Sequence, residues 1–300
     1  MSIHVPVLLQ EVLTLLNLKP GMNVIDGTVG GGGHASAIFE KISPGGKLFG
    51  IDLDEEAIGR ARGRLYRFGS RAVLVQGNFR ELTAMHKKYF DFPIQALLLD
   101  LGVSSDQLNN PHRGFSFLNN GPLDMRFGGR GDASTISARE VVNTASEAEL
   151  ARIFRQYGEE RFANAIAHSV VVARERKSLE TTQALASLVV RAVPSHARRV
   201  SRVHPATRIF QALRMAVNQE LGSLEEVLPQ ATGLLEPQGR LAVISFHSLE
   251  DRMVKHGFNA LARRGILRVI TKSPLVPSPE EVAKNPRARS AKLRVIEKVR

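Results

Sequence analysis

The sequence predicts an α/β protein in which a parallel sheet carries helices on both faces and an all-helical segment is inserted into the chain. Short apolar runs alternate with helical patterns over the first hundred residues, which is typical of strands buried on both faces. Residues 106 to about 136 are rich in Gly, Asn, Pro and Arg, and only helical patterns follow until about residue 204. We therefore expect residues 1–105 and 204–300 to form one discontinuous domain and residues 106–203 to form an inserted helical domain.

The predicted strands share a short, strongly apolar composition, and three of them end in an aspartate. They are residues 23–26, 47–52, 72–76, 95–100 and 240–245, together with an alternating segment at 291–297. A helical pattern begins near His34 and another covers 55–67. One helix is predicted from Pro205 through Leu224, and Ser146 with Glu149 predicts a capping box.

Composition and charge narrow the class of protein. The chain has 41 Lys and Arg against 29 Asp and Glu, a formal net charge of +12, which favours a polyanionic partner such as nucleic acid. A basic but otherwise ordinary enzyme explains this charge equally well. Cysteine is absent, which excludes disulfides and thiolate metal sites. With no long apolar run and no leader pattern at residues 1–16, we expect a cytoplasmic protein without a membrane partner.

The strongest local signal is the glycine-rich loop from Gly27 to Gly33, which lies between a predicted strand and a predicted helix. Glycines there allow positive φ and close approach of a ligand to the backbone. Gly30, Gly32 and Ala35 also satisfy the dinucleotide pattern G-x-G-x-x-A, so the loop alone names no cofactor. Asp52 ends the next strand about twenty residues on, where a carboxylate accepts hydrogen bonds from a ribose diol. NAD and S-adenosylmethionine both offer that diol.

Two further aspartates favour the methyl donor over a dinucleotide. Asp26 and Asp100 would oppose a pyrophosphate but suit a sulfonium or an ammonium group. A single aspartate at a strand end is often only a turn cap, but three at the same sheet edge favour a cofactor site. Phe79 follows the third strand and would stack on adenine, although a core phenylalanine explains it as well.

Longer motifs make the chain resemble one family over essentially its whole length. The stretches that carry the resemblance are 4–9, 26–34, 99–108, 113–117, 121–126, 157–162, 204–208, 245–252 and 285–290. Among them are Asp100-Leu-Gly-Val-Ser-Ser-Asp-Gln107 and Ser245-Phe-His-Ser-Leu-Glu250. In these motifs the chain resembles the MraW/RsmH family of ribosomal small-subunit RNA (cytosine-N4)-methyltransferases.

The resemblance implies a fold, a cofactor and a substrate. The fold would be a Rossmann-like S-adenosylmethionine methyltransferase domain with an inserted all-helical domain. The target would be the N4 amine of a cytidine in the decoding region of 16S rRNA, with the small ribosomal subunit as the partner. Oligomeric state stays open, with a homodimer as one alternative. The donor-binding residues that the resemblance implies are Gly32, Gly33, His34, Asp52, Phe79, Asp100 and Gln107.

The chemistry predicted from these residues centres on Asp100, which would accept a hydrogen bond from the cytosine amine or serve only the donor's ammonium group. Ser104, Ser105 and His247 lie in strand-end loops and are candidate helpers. The family lacks the Pro-Pro motif found in many enzymes that methylate exocyclic amines, so that motif's mechanism does not transfer.

An unstacked cytidine needs a pocket, and the irregular segment contributes the candidates Phe115, Phe117 and Arg126. Packing within the insert explains these three side chains nearly as well.

The C-terminal tail carries four cations that would either touch RNA phosphates or lie on a solvated edge strand. They are Arg287, Arg289, Lys292 and Arg294.

Two other functions remain compatible with the sequence. One is an RNA-binding assembly factor that keeps the donor pocket without essential chemistry, which the intact aspartates and glycine loop disfavour. The other is a dinucleotide oxidoreductase, for which no hydride-acceptor constellation is visible. His4, His34, His204 and His247 form no recognisable ligand spacing, so no metal is expected.

Overall fold

The chain folds as two compact units in this computed structural model, which describes residues 6–129, 135–200 and 203–299. His4 and Val5, which belong to one of the matching stretches, lie outside the described residues. One unit comprises residues 1–102 and 221–300 and contains the sheet, and the other comprises residues 103–220 and is helical. No helix among the described residues combines the length and the apolar character that crossing a bilayer requires.

The sheet unit is built on seven strands in the order β3-β2-β1-β4-β5-β7-β6. The strands are β1 (Val24–Asp26), β2 (Leu48–Asp52), β3 (Ala72–Gln76), β4 (Ile94–Asp100), β5 (Leu235–Ser245), β6 (Leu267–Val269) and β7 (Lys292–Lys298). β1 to β5 are mutually parallel, and β7 runs antiparallel to both β5 and β6. The order of the parallel strands is that of the Rossmann fold, which confirms the predicted fold class.

Side chains of the central strands alternate between two apolar cores, one on each face of the sheet. Ala96 and Leu98 of β4 belong to one core, and Leu97 and Leu99 belong to the other. This alternation follows from the two-residue period of a strand and explains why these strands read as continuous apolar runs.

Helices of the sheet unit cover both faces. They are α1 (Leu9–Leu15), α2 (Gly33–Ile42), α3 (Glu55–Leu65), α4 (Leu82–Tyr89), α12 (Glu220–Leu234), α13 (Ser248–Arg263) and α14 (Pro279–Lys284). α1, α2 and α3 supply side chains to one core, whereas α4, α12 and α13 supply the other. The three-layer arrangement leaves the carboxyl edge of the parallel strands for the loops that carry the candidate residues.

The helical unit has a core of its own. Its helices are α5 (Ser105–Asn109), α6 (Ala138–Thr144), α7 (Glu147–Gln156), α8 (Ala163–Arg176), α9 (Thr182–Ala192), α10 (Ser195–Val200) and α11 (Ala206–Asn218). Phe154, Ile166, Val189 and Leu213 are fully buried within this core.

The boundaries of the helical unit differ from the predicted 106–203. It begins at Val103 and ends at Glu220, so α11 belongs to it and not to the sheet unit. The reason is packing, because Ile209, Phe210 and Leu213 of α11 are part of the helical core.

Two local expectations were also wrong. The helix predicted from Pro205 through Leu224 is broken at Gln219, whose φ of 49° places it in the left-handed region. Ser146 Oγ accepts a hydrogen bond from Glu149 N at 3.2 Å, but the reciprocal bond that would complete a capping box at α7 is not formed.

β7 is not the edge strand that the sequence suggested, because it lies between β5 and β6. Arg294 is buried there, with its Nε 2.7 Å from Asp251 Oδ1, and Lys292 Nζ lies 3.0 Å from Asp251 Oδ2. Although burial opposes ionisation, the hydrogen bonds from Arg294 and Lys292 hold the pKa of Asp251 below its ordinary value. Arg294 is thus a structural cation, which overturns both sequence readings for this residue, while Arg287 and Arg289 are exposed.

Candidate active site

Three aspartates meet at the carboxyl edge of the sheet. Asp26, Asp52 and Asp100 are the last residues of β1, β2 and β4, which are neighbouring parallel strands. Ligands of open α/β sheets bind at this edge. The structure therefore brings together the three carboxyl groups that the sequence singled out.

The glycine-rich loop is folded back onto the same edge by hydrogen bonds. Val29 N donates to Ile51 O at 2.9 Å, and Gly30 N donates to Asp52 Oδ2 at 2.9 Å. Gly32 precedes α2 with φ 78°, and a Cβ built on it would lie only 3.3 Å from Ala61 Cα. Glycine is required there because the backbone is left-handed and the space for a side chain is filled by α3.

Asp26 and Asp100 each keep one carboxyl oxygen without a hydrogen-bond partner. Among the described residues, Asp26 Oδ2 and Asp100 Oδ1 are buried and make no hydrogen bond. Buried polar atoms are rarely left unsatisfied, and such exceptions are often found where a ligand binds. The two oxygens thus mark the place where a ligand with hydrogen-bond donors or positive charge fits.

Burial also perturbs the ionisation of these groups. Loss of solvation raises the pKa of Asp100 to about 8, with repulsion from Asp26 and Glu250 adding to the effect. Loss of solvation likewise raises the pKa of Asp26 to about 7, against the hydrogen bond donated by Thr28 N. Acid groups with such pKa values are candidates for binding or catalysis, and a cationic ligand would return both to the charged form.

Asp52 is held ready to accept further hydrogen bonds. Its Oδ1 accepts from Asp54 N and its Oδ2 from Gly30 N, both at 2.9 Å. Burial raises the pKa of Asp52 to about 6 in spite of these bonds, so it is ionised at neutral pH. Each oxygen keeps a lone pair, which suits the two hydroxyl groups of a ribose.

His34 lies beside Asp100 in the first turn of α2. Its Nε2 lies 3.0 Å from Val7 O, a partner that only an N–H can serve, so the proton of the neutral ring is on Nε2. Nδ1 lies 3.5 Å from Asp100 Oδ2. His34 is therefore placed to share a proton with Asp100 and to orient its carboxyl group.

Phe79 follows β3 and lies beside the glycine-rich loop. It is half-buried and packs against the core formed by α4, α12 and α13, and its Cβ is 3.8 Å from a Cβ built on Gly27. The ring thus joins the core and borders the site, which is compatible with both sequence readings.

Thr28 and Glu250 belong to the site but were not singled out from the sequence. Thr28 Oγ1 accepts a hydrogen bond from Asp100 N at 2.6 Å and so ties the glycine-rich loop to β4. Glu250 is buried, and its Oε2 accepts from Phe246 N at 2.8 Å. The capping box that His247 forms with Glu250 was not detectable from the sequence, because such a box has Ser or Thr at its first position.

His247 caps α13, which limits its use as a base. Its Nδ1 accepts a hydrogen bond from Glu250 N at 3.3 Å, and its Nε2 lies 3.1 Å from Glu250 Oε1. Both ring nitrogens therefore lie near Glu250, and a helper role of His247 in the chemistry stays a prediction.

Gln107, Ser104 and Ser105 belong to the helical unit. Gln107 N donates to Ser104 Oγ at 3.2 Å, and Ser104 N donates to Gln107 Oε1 at 3.0 Å, which forms a capping box at α5. Ser105 is the first residue of that helix. The contact between Gln107 and the donor stays a prediction.

The candidates for a base pocket lie in the packing of the helical unit. Phe115 is buried and its ring stacks on that of Phe127 at 5.6 Å, while Phe117 stacks on His204 at 4.6 Å. Arg126 Nη2 pairs with Asp124 Oδ2 at 3.0 Å. These contacts favour the packing alternative for Phe115 and Arg126, and a role of all three in binding a base stays a prediction.

The site fits a methyl donor that carries an adenosine and a sulfonium. Asp52 suits the ribose, Phe79 borders the place expected for the adenine, and the unpaired oxygens of Asp26 and Asp100 suit the cationic methionine end. The narrow turn at Gly32 lets such a ligand approach the backbone.

Comparison with known proteins agrees with this geometry. The sequence model of the MraW methylase family matches residues 1–299. A protein of Thermomicrobium roseum named ribosomal RNA small subunit methyltransferase H is 48% identical, with 99% of this chain and 94% of the relative covered. A protein of the same name from a Cyanothece species is 50% identical and covers 99% of this chain and 95% of its own length. The chain belongs to the MraW methylase family, and S-adenosylmethionine is its methyl donor.

Proposed function

We propose that this protein transfers the methyl group of S-adenosylmethionine to the exocyclic N4 amine of a cytidine in the decoding region of 16S rRNA. The observation that carries the proposal is the pair of unpaired carboxyl oxygens on Asp26 and Asp100 at the carboxyl edge of the sheet. The names of the relatives support RNA of the small ribosomal subunit as the substrate, and the net charge of +12 suits a polyanion. The motifs shared with the cytosine-N4 family support the amine as the target.

The donor would be held by groups already in place. Asp52 would accept hydrogen bonds from the ribose hydroxyls, and Phe79 would lie against the adenine. The turn of Gly32, Gly33 and His34 would surround the methionine portion. The sulfonium supplies an activated methyl group, and its positive charge favours ionised Asp26 and Asp100.

Asp100 would then act on the amine. Its carboxylate would accept a hydrogen bond from the N4 amino group, which favours the positive charge that builds up on nitrogen as the new bond forms. The nitrogen lone pair forms the bond to the methyl carbon, and the carbon–sulfur bond breaks with its electrons kept by sulfur. The surplus proton of the methylated amine would pass to Asp100, a buried carboxyl group that the donor's charge has returned to the ionised form.

His34 supports this step as a positioning residue. With its Nε2 held by Val7 O, its Nδ1 lies 3.5 Å from Asp100 Oδ2, and a proton held between these two atoms would fix the direction in which Asp100 presents its other oxygen. Alignment of nitrogen, methyl carbon and sulfur accounts for much of the rate enhancement available to such a transfer.

The test is transfer of a labelled methyl group to small ribosomal subunits from cells that lack this gene, with the modified nucleoside identified by mass spectrometry. N4-methylcytidine at one position supports the proposal, and Asp100→Asn should reduce turnover while leaving subunit binding intact. Full turnover by the Asp100→Asn variant would remove Asp100 from the chemistry. Donor binding without any incorporation would favour an assembly factor, and a different modified nucleoside would refute the N4 assignment.

A further inference from the structure

The outer face of α13 is strongly basic. Arg252, Lys255, His256, Asn259 and Arg263 recur at helical spacing, and all five are exposed. The opposite face packs on the sheet through Asp251, Val254 and Phe258. A helix with such a face points its positive charge away from the core of the sheet unit.

No acidic residue interrupts this charge along the chain. Residues 252–279 contain six Lys or Arg and no Asp or Glu. Within the part of the chain that the structure describes, Lys255, Arg263 and Arg264 form no ion pair, whereas Arg268 pairs with Glu297. Among the described residues, no neighbouring carboxylate therefore offsets the positive charge of the row formed by Lys255, Arg263 and Arg264.

The position of α13 relates this row to the candidate active site. α13 begins three residues after β5 ends, next to the edge that carries Asp100, and Glu250 in its first turn raises the pKa of Asp100 by repulsion. Its 16 residues extend about 24 Å away from that edge.

The acceptor should reach the site from the side of α13. Asp52 and Phe79 follow β2 and β3, which assigns the adenosine to that half of the sheet edge, whereas Asp100 follows β4, the neighbour of β5. The reactive end of the donor therefore faces the strand from which α13 leaves. An RNA chain that delivers a nucleotide to Asp100 would pass the first turns of α13, and its flanking nucleotides would continue along the helix towards Arg263 and Arg264.

We propose that the outer face of α13, together with Arg264 directly after it, binds the phosphate backbone of the substrate RNA that flanks the target nucleotide. The face is formed by Arg252, Lys255, His256, Asn259 and Arg263. This inference rests on the proposed function, since it assumes that RNA is the substrate. Phosphates neutralised by Lys and Arg release condensed counterions, which gives the contact a measurable dependence on salt.

The test compares two triple variants that remove equal charge. Lys255→Gln/Arg263→Gln/Arg264→Gln neutralises the α13 face, and Lys41→Gln/Lys87→Gln/Lys88→Gln neutralises three exposed lysines on α2 and α4. The Kd for small subunits that lack the modification is measured by co-sedimentation at fixed Mg²⁺ from about 0.05 to about 0.3 M KCl, over which the Debye length falls about 2.4-fold. Donor binding is measured in parallel to show that the variants are folded.

The expected effect follows from counterion release. Loss of three contacts to a single strand lowers the slope of log affinity against log salt by about 2, equivalent to a Kd about 50-fold higher at 0.15 M salt when affinities converge near 1 M. The control triple should keep the wild-type slope, and Lys255→Arg/Arg263→Lys/Arg264→Lys should restore it because charge is what phosphates recognise. Turnover at saturating subunit concentration should be unchanged.

Two results would overturn the inference while leaving the proposed function intact. Equal slopes for the two glutamine triples would show that only net charge matters, and an unchanged Kd with a lowered Tm would assign Arg263 and Arg264 to the stability of the helix end. If the wild-type protein binds the donor but neither binds nor methylates subunits, both the proposed function and this inference are refuted.

Discussion

Affinity for the methyl donor should depend steeply on pH, because the donor needs ionised carboxylates and these groups are partly protonated before it binds. Burial raises the pKa of Asp100 to about 8 and that of Asp26 to about 7, whereas an ordinary aspartate at 3.8 is ionised throughout the neutral range. Binding of a cation selects the ionised form and therefore displaces protons.

The size of the effect follows from the pKa of Asp100. With a value of about 8, roughly 0.3% of the molecules have ionised Asp100 at pH 5.5, and roughly a quarter have it at pH 7.5. If only the ionised form binds well, Kd falls about 75-fold over this range, which corresponds to about 2.5 kcal/mol. Ionisation of Asp26 in the same range makes the dependence steeper still.

Isothermal titration calorimetry provides the assay. Kd for S-adenosylmethionine is measured from pH 5.5 to 7.5, below the ionisation range of a free α-amino group, about 7.7–8.0. Titration in buffers of different ionisation enthalpy counts the protons released, which we expect to be about one or more at pH 6. S-adenosylhomocysteine, which lacks the sulfonium charge, should show a shallower dependence, and Asp100→Asn should lower the slope by about one unit per pH unit.

A Kd that changes less than twofold across this range would refute the reasoning, since it would mean that Asp100 and Asp26 are already ionised before the donor binds. The direction in which the stability of the protein changes with pH is a second test. The raised carboxyl pKa values predict that the protein without added donor loses stability as pH rises from about 4 towards 8, so Asp100→Asn should raise the Tm at pH 8 more than at pH 5.

Three other substitutions test individual contacts. Asp52→Ala should raise the Kd for the donor about 10- to 100-fold, because hydrogen bonds to a charged group contribute roughly 1.5–3 kcal/mol. Calorimetry at pH 7.5 measures this Kd, and an Asp91→Ala control should keep the wild-type value. Gly32→Ala should cost about 1–2 kcal/mol of stability for its left-handed backbone and weaken donor binding, and a Tm equal to wild type by scanning calorimetry would contradict the steric account. Asp251→Ala should lower the free energy of unfolding by about 3–5 kcal/mol in a urea titration, because it leaves the buried Arg294 without its partner, while the salt dependence of subunit binding stays that of wild type.

Local patterns in the sequence were sufficient to predict the sheet and the three carboxyl groups at its edge. The strands that end in Asp26, Asp52 and Asp100 are apolar on both faces. Their continuous apolar runs and terminal carboxylates could therefore be predicted without knowledge of any tertiary contact. Parallel strands place their carboxyl ends together, which is why three distant aspartates could be assigned to one edge.

Predictions that depended on which surface a segment packs against were less successful. α11 has an apolar stripe that suits either unit, and only the core around Phe154 and Leu213 assigns it to the helical unit. The break at Gln219 interrupts a regular apolar pattern, so the helical periodicity of the sequence did not predict it.

From the sequence alone one obtains the α/β class, the glycine-rich turn, the three carboxylates and the family, since each depends on residue type and local spacing. The ionisation of Asp26 and Asp100, the capping role of His247 and the burial of Arg294 against Asp251 emerge only when distant segments pack together. Solvation and pairing depend on neighbours in space, and a linear pattern carries no information on how much water a folded chain leaves around a charge.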